Sequence, residues 1–212
     1  MNQQNEQLEA IQEMRSLMER SSRFISLSGL SGVFAGIFAL AGAIAAYYYL
    51  KLDLSSNSYY ATAYSSNGEV NQNFFAFFIG DALCVLVASL IAGSLLTIRK
   101  AKLKGQQIWD NTSKRLLVNL FIPLAAGGLF CLVLLHHGLV GLVAPATLLF
   151  YGLALLNASK YTLHDIRYLG ICQIVLGLIA SLYIGYGLLF WAIGFGLLHI
   201  VYGTVMYYKY ER

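Results

Sequence analysis

Charged residues are scarce in this chain of 212 residues, of which Asp, Glu, Lys and Arg make up only 11%. Soluble domains carry roughly 25% of these residues, so the scarcity excludes an ordinary water-soluble fold. Apolar residues make up 58% of the chain, and they form several long runs. Such runs are typical of membrane-spanning helices. The sequence therefore predicts an all-α fold, a polytopic helical bundle in a membrane.

Cysteine and proline are rare as well. The three cysteines, Cys84, Cys131 and Cys172, lie inside apolar runs, and an odd number without close spacing implies no disulfide framework. We expect all three to be small buried hydrophobic residues. Pro123 and Pro145 fall inside predicted spans, where a proline removes a backbone hydrogen bond and can kink the helix.

The residue patterns of enzymes are missing too. The sequence contains no identifiable nucleophile–base pair, metal-ligand cluster or phosphate-binding loop, and these are the groups from which active sites are built. We therefore expect a protein that is not an enzyme and that uses neither a cofactor nor a metal.

Six apolar runs are each close to the about 20 residues that a helix needs to cross a bilayer. They cover approximately residues 24–48, 74–98, 116–135, 139–156, 168–184 and 188–208. They predict a transmembrane domain over residues 24–212, with an outer loop at 49–73 and a basic cytoplasmic loop at 99–115. The short turns "HHG" and "GYG" predict antiparallel hairpins on either side of them, and we expect three hairpins in all.

Lys and Arg are distributed unevenly about these spans. Thirteen of the 14 lie on one side of the predicted membrane, and only Lys51 lies on the other. Cytoplasmic loops are enriched in Lys and Arg, so both termini are predicted to be cytoplasmic. The basic residues are therefore explained as signals that set the orientation in the membrane. We expect the lipid bilayer as a partner and do not expect nucleic acid.

Residues 1–23 predict a cytoplasmic amphipathic helix, because apolar residues recur there at helical spacing. These residues are Leu8, Ile11, Met14, Leu17 and Met18. Such a helix either lies on the inner membrane surface or pairs with a helix of a partner protein.

Small residues recur every four positions in the first span, at Ser28, Gly32 and Gly36. A face of small residues lets a second helix backbone come close. This face of the first span packs either against a second copy of the chain, which would make a homo-oligomer, or against another span of the same chain. We favour packing within the chain. Small residues also lie near the inner ends of spans two, four and six, and these are Gly93, Gly152 and Gly203.

His199 is the candidate for a site near the midplane. It lies ten residues before Lys209, which is a depth of about 15 Å at 1.5 Å per residue. A histidine there either relays protons or binds substrate, or it is neutral and bonded to another helix. The bonding partner would be a tyrosine hydroxyl or Gln173, and we favour this structural role.

Asp81 is the only acid inside the second apolar run, "FFIGDALCVLV". An acid within a span is a functional-site hypothesis by default. Asp81 lies 18 residues from Arg99, or about 27 Å, which predicts the outer rim of the membrane. His136 and His137 end the third span at nearly the same level, so we expect Asp81 to pair with one of them. The pair is either structural or an outward-facing binding or proton-entry site.

Two segments, "RSSRFISLSGLSGVFAG" and "GYGLLFWAIGFGLLHIVYG", resemble those of small six-span inner-membrane proteins of bacteria whose activity is not established. The resemblance covers most of the chain. It implies a bacterial plasma membrane protein and implies nothing about an activity.

Two functions remain open from the sequence. One is a structural or regulatory bundle that acts through a partner membrane protein or through assembly, using residues 1–23 or the first span. The other is a small-molecule or ion/proton-coupled transporter, with a path between His199 and the level of Asp81 and His136.

Overall fold

The structure is a computed structural model that describes residues 27–50, 63–64, 71–103, 105 and 109–212. The predicted helix over residues 1–23 lies outside the described residues, as do most of the outer loop and part of the basic loop. Within the described ranges the regular structure is helical, and no strand occurs in them.

Six helices of the described chain are long and apolar enough to cross a membrane. They are α1 (Gly29–Leu50), α2 (Gln72–Leu103), α3 (Asn111–His136), α4 (Val143–Ala158, which its flanking turns extend to a span of Val140–Tyr161), α5 (Asp165–Leu182) and α6 (Gly187–Tyr210). Single 3₁₀ turns precede and follow α4. Each helix overlaps one predicted span, which confirms the all-α class and the six spans. The chain has the architecture of a multi-pass membrane protein.

Two tight turns lie between neighbouring helices. Gly138 follows α3 with φ 73°, and Gly185 precedes α6 with φ 116°. A side chain at either position would strain the backbone, because L residues rarely adopt positive φ. These glycines therefore let the chain reverse within the short "HHG" and "GYG" segments.

The start of α3 is capped by Asp110, whose carboxylate accepts a hydrogen bond from the backbone N–H of Ser113 at 2.6 Å. Partial burial of Asp110 raises its pKa. The hydrogen bonds from Ser113 and from the neighbouring backbone together lower the pKa by more, so the pKa lies below its ordinary value. The cap satisfies one of the free N–H groups at the helix N-terminus.

Helices α4 and α5 approach one another at glycines. A Cβ on Gly152 would lie 2.7 Å from the Gly170 carbonyl oxygen and 2.8 Å from the Ile174 backbone nitrogen. A Cβ on Gly177 would lie 3.0 Å from the Pro145 carbonyl oxygen. The two backbones thus touch directly, which side chains would prevent.

Helices α1 and α6 are joined in the same way. A Cβ on Gly36 would lie 2.6 Å from the Gly196 carbonyl oxygen, and one on Gly32 would lie 3.2 Å from the Gly203 Cα. The small-residue face of the first span therefore packs within the chain, which is the alternative that the sequence favoured.

Helix α2 lies at the edge of the bundle. Only 6% of its most apolar 18-residue segment is buried, against 33% for α1 and α5. It packs against α1, α3 packs against α4, and α2 and α3 share no extensive contact. The grouping of the six helices into three hairpins stays a prediction.

The expectation that all three cysteines are buried is wrong for two of them. Cys131 is buried as predicted, but Cys84 and Cys172 are exposed. Both lie in helices, α2 and α5, that present an apolar face away from the rest of the bundle. A membrane span is apolar on its lipid-facing side as well, so an apolar run alone does not show which residues are buried.

We expect Gly152→Ala to lower the stability of the protein by about 1–3 kcal/mol, because the new Cβ overpacks a backbone contact. The measurement is the thermal unfolding midpoint in detergent. Gly128→Ala is the matched control, since a Cβ at Gly128 meets nothing within 4 Å. Equal midpoints for the two variants would contradict the close contact of α4 and α5.

Candidate functional site

A π-helical segment, Ala192–Leu198, interrupts α6 immediately before His199. A π-helical turn inserts extra backbone into a helix, and such turns are frequent at functional sites. The segment reads "AIGFGLL", and its Gly194 and Gly196 are both buried. The irregular backbone brings the Gly194 carbonyl into contact with side chains.

The Gly194 carbonyl oxygen accepts two side-chain hydrogen bonds. Gln173 Nε2 of α5 donates to it at 2.7 Å, and His199 Nδ1 lies 2.9 Å from it. On the other side of the imidazole ring, His199 Nε2 lies 2.8 Å from the hydroxyl of Tyr151 in α4. The site thus ties together α4, α5 and α6.

This geometry selects one tautomer of His199. A carbonyl oxygen only accepts hydrogen bonds, so the Nδ1 atom carries the proton that it donates to Gly194. In the neutral ring Nε2 is then an acceptor, and the Tyr151 hydroxyl donates to it. Both ring nitrogens are satisfied in the neutral form, without any further group.

The polar site is closed off from its surroundings. Gln173 is 0% exposed and His199 is 6% exposed. A Cβ on Gly194 would lie 2.4 Å from Leu148 Cδ2 and 2.7 Å from Gln173 Oε1, so a larger residue there would displace these side chains. Gln173 Oε1 is buried and has no hydrogen-bond partner within the described residues.

The structure therefore brings together His199 and Gln173, the two residues that the sequence placed near the midplane. The sequence led us to expect a tyrosine hydroxyl or Gln173 as the partner of His199, but it named neither Tyr151 nor the Gly194 carbonyl. A signal for Tyr151 was present, because it lies nine residues before Lys160 just as His199 lies ten before Lys209. At 1.5 Å per residue the two side chains have almost the same depth. The π-helical backbone at Gly194 has no comparable sequence signal.

Asp81 faces α1. A Cβ on Gly42 would lie 3.1 and 3.2 Å from the two carboxylate oxygens of Asp81, and 2.6 Å from Val85 Cγ2. Asp81 is partly buried in this seam between α1 and α2. In the described part of the chain its carboxylate makes no hydrogen bond or ion pair.

His136 and His137 lie at the end of α3 with their ring centroids 5.2 Å apart, and both are exposed. No hydrogen bond or ion pair among the described residues joins either ring to Asp81. The physical reason is that Asp81 turns towards α1, whereas α3 packs on α4. The three residues are not brought together as a bonded pair, and a functional role for them stays a prediction.

No protein-family model matches the chain, and no curated protein or solved structure matches it either.

We expect Tyr151→Phe to lower the unfolding midpoint, because it leaves His199 Nε2 buried without a donor. Coupling between hydrogen-bonded side chains in membrane helices averages roughly 0.6 kcal/mol and reaches about 1.7 kcal/mol. A double-mutant cycle with His199→Leu measures this coupling from the unfolding midpoints in detergent.

Tyr202→Phe is the matched control for this cycle. Tyr202 is a partly buried tyrosine in α6 that packs against the apolar cluster containing Leu169 and Met206, and the described structure gives its hydroxyl no hydrogen bond. In a double-mutant cycle with His199→Leu, the Tyr202→Phe change should show no coupling free energy. A Tyr151–His199 coupling of zero would contradict the hydrogen bond between these two side chains.

Proposed function

We propose that this protein is a structural or regulatory membrane bundle that acts through assembly or through a partner membrane protein. The observation that supports this proposal is that both ring nitrogens of His199 form hydrogen bonds within the chain, one with Tyr151 and one with Gly194. The deepest imidazole of the bundle serves to join three helices.

Transport through His199 is the competing function, and the geometry weighs against it. A proton relay requires the ring to gain and lose a proton. Protonation of Nε2 turns it into a donor, so the Tyr151 hydroxyl would lose its acceptor in a buried site. Leaving a buried polar group unpaired costs about 1–3 kcal/mol. His199 is therefore better placed to hold the helices together than to carry protons.

The proposal also includes a location and a topology. We infer a bacterial inner membrane, both termini in the cytoplasm, and three hairpins that enter and leave on that side. The distribution of Lys and Arg supports the orientation. The described contacts are consistent with it, because Lys100 at the end of α2, Leu27 before α1 and Glu211 after α6 meet at one end of the bundle.

Contacts at the opposite end agree with the same topology. Tyr64 of the outer loop lies against the turn at Gly138, where a Cβ would come within 3.1 Å of its hydroxyl. The Tyr64 ring is also 6.5 Å from that of Phe75 at the start of α2. The first loop and the "HHG" turn therefore share one end, as alternating spans require.

We expect a cysteine in place of Tyr64 to react in intact cells with a membrane-impermeant maleimide. A cysteine in place of Arg212 should react only after the cells are opened, because the C-terminus is inside. Both variants need a background without the three native cysteines. Labelling of the Arg212 variant in intact cells would contradict the proposed orientation.

The functional test compares two changes in a strain that depends on the protein. We expect His199→Gln, which keeps a hydrogen-bonding side chain but cannot become a cation, to preserve the growth phenotype at normal protein level. We expect deletion of residues 1–23 to abolish the phenotype while the protein remains in the membrane. The measurements are growth and membrane-fraction immunoblots.

Asp81→Asn is the second arm of this test, since the acid could serve the alternative transport path. It should also preserve growth. The contrary outcome is that both His199→Gln and Asp81→Asn abolish growth at normal protein level, while the variant without residues 1–23 still supports growth. That outcome would contradict the proposal and favour transport as the function.

A further inference from the structure

A groove with a volume of about 520 Å³ runs between α3 and α4. Most of its wall is apolar, and the residues that form this part are Pro123, Ala126, Phe150, Leu153 and Leu156. Asn157 and Lys160 line its polar end. Because Ala126, Leu153 and Lys160 are exposed, the groove opens on the surface of the bundle.

Helices α3 and α4 touch on either side of this stretch. Towards the apolar end, a Cβ on Gly127 would lie 2.4 Å from Phe150 Cβ. Towards the polar end, Asn157 Nδ2 donates to the backbone carbonyl of Asn119 at 2.9 Å. That carbonyl lacks its helical donor, because Pro123 four residues later has no N–H. The two contacts hold the walls of the groove in place.

The length of the groove matches half of a bilayer. Phe150 lies ten residues before Lys160, which is about 15 Å at 1.5 Å per residue. The hydrocarbon core is about 30 Å thick, so each leaflet contributes roughly half of that. The apolar wall can therefore accompany one acyl chain from the level of Lys160 to the middle of the membrane.

The polar end of the groove is positively charged. Lys160 is the charged residue that lines it, and no described residue forms an ion pair with its ammonium group. Asp165, five residues further along the chain, is paired with Lys209 at 2.8 Å. Arg115 adds a second cation near this end, because it lies one helical turn before Asn119.

We propose that this groove binds an acidic phospholipid, with one acyl chain between α3 and α4 and the phosphate at Lys160. Basic pockets between membrane-spanning helices bind acidic lipid headgroups in this way. A zwitterionic lipid brings its own cation to the headgroup and so complements Lys160 less well. The proposal does not rest on the proposed function, and it holds for either orientation of the protein in the membrane.

Quenching of a tryptophan by brominated lipids tests the site. Leu153→Trp places the reporter in the groove wall of the full chain, in which Trp109 and Trp191 are replaced by phenylalanine. The protein is reconstituted in vesicles that mix phosphatidylcholine and phosphatidylglycerol, and one of the two lipids carries bromine on its acyl chains. The dependence of quenching on the lipid ratio gives the relative binding constant of the two lipids at the reporter.

We expect the Leu153 reporter to bind phosphatidylglycerol about fivefold more tightly than phosphatidylcholine. This factor corresponds to the about 1 kcal/mol that one basic residue contributes near an acidic lipid surface. Lys160→Gln should lower the preference to about one, because the amide carries no charge. Lys160→Arg should keep the preference, which separates the effect of the charge from that of the side-chain length.

Val201→Trp is the matched control for the reporter. Val201 is an exposed residue of α6 that lies eight residues before Lys209, much as Leu153 lies seven before Lys160, so the two depths are almost equal. Its lipid preference should be about one. Arg167→Gln is the matched control for the charge, since Arg167 is an exposed cation in the first turn of α5. It should leave the preference at Leu153 unchanged.

Three outcomes would overturn the proposal. The first is an equal lipid preference at the Leu153 and Val201 reporters. The second is a preference at Leu153 that survives Lys160→Gln. The third is that neither brominated lipid quenches the Leu153 reporter although both quench the Val201 reporter, which would show that a protein segment and not a lipid occupies the groove.

Discussion

Direct contact between helix backbones at glycine is the constraint on which the rest of this structure depends. Lipid is as apolar as a leucine side chain, so apolar surface alone does not bring helices together in a membrane. Close packing must do so, and it is greatest where no side chain separates two backbones. Gly152 with Gly170, and Gly36 with Gly196, provide such contacts. They connect α4 to α5 and α1 to α6, which form the buried part of the bundle.

Polar groups then determine how these helix pairs are held relative to each other. In hydrocarbon an unpaired donor or acceptor is costly, so each buried polar side chain needs a partner on another helix. Gln173 and His199 meet at the carbonyl of Gly194, and the hydroxyl of Tyr151 bonds to the other nitrogen of the His199 ring. The π-helical segment makes this possible because it places the Gly194 carbonyl where the side chains of two residues can reach it.

The two ion pairs that join described residues lie near helix ends. The Lys100–Glu211 pair joins α2 to α6, and the Lys209–Asp165 pair joins α6 to α5. The two pairs differ in their burial, because the Lys209 side chain is 54% exposed whereas that of Lys100 is 8% exposed. Exposed ion pairs contribute little to stability, so of these two pairs the buried one has the larger influence on helix position.

By itself the sequence determined the all-α class and the six spans, and it predicted a depth for His199 and Asp81. Apolar run length and charge position depend on the local chain alone, and the membrane imposes both. The sequence also indicated that Ser28, Gly32 and Gly36 form a packing face. It did not indicate that Cys84 and Cys172 would be exposed, since an apolar span looks the same whether it faces lipid or protein.

Only the tertiary structure decided which helices touch. Asp81 and the histidines His136 and His137 have similar predicted depths, yet Asp81 lies against Gly42 of α1. Depth is a coordinate along the membrane normal, whereas pairing also depends on the position and rotation of each helix within the membrane plane. Tyr151 became the partner of His199, and Glu211 the partner of Lys100, for the same reason. Those in-plane positions follow from contacts between residues far apart in the chain, which no single run of the sequence contains.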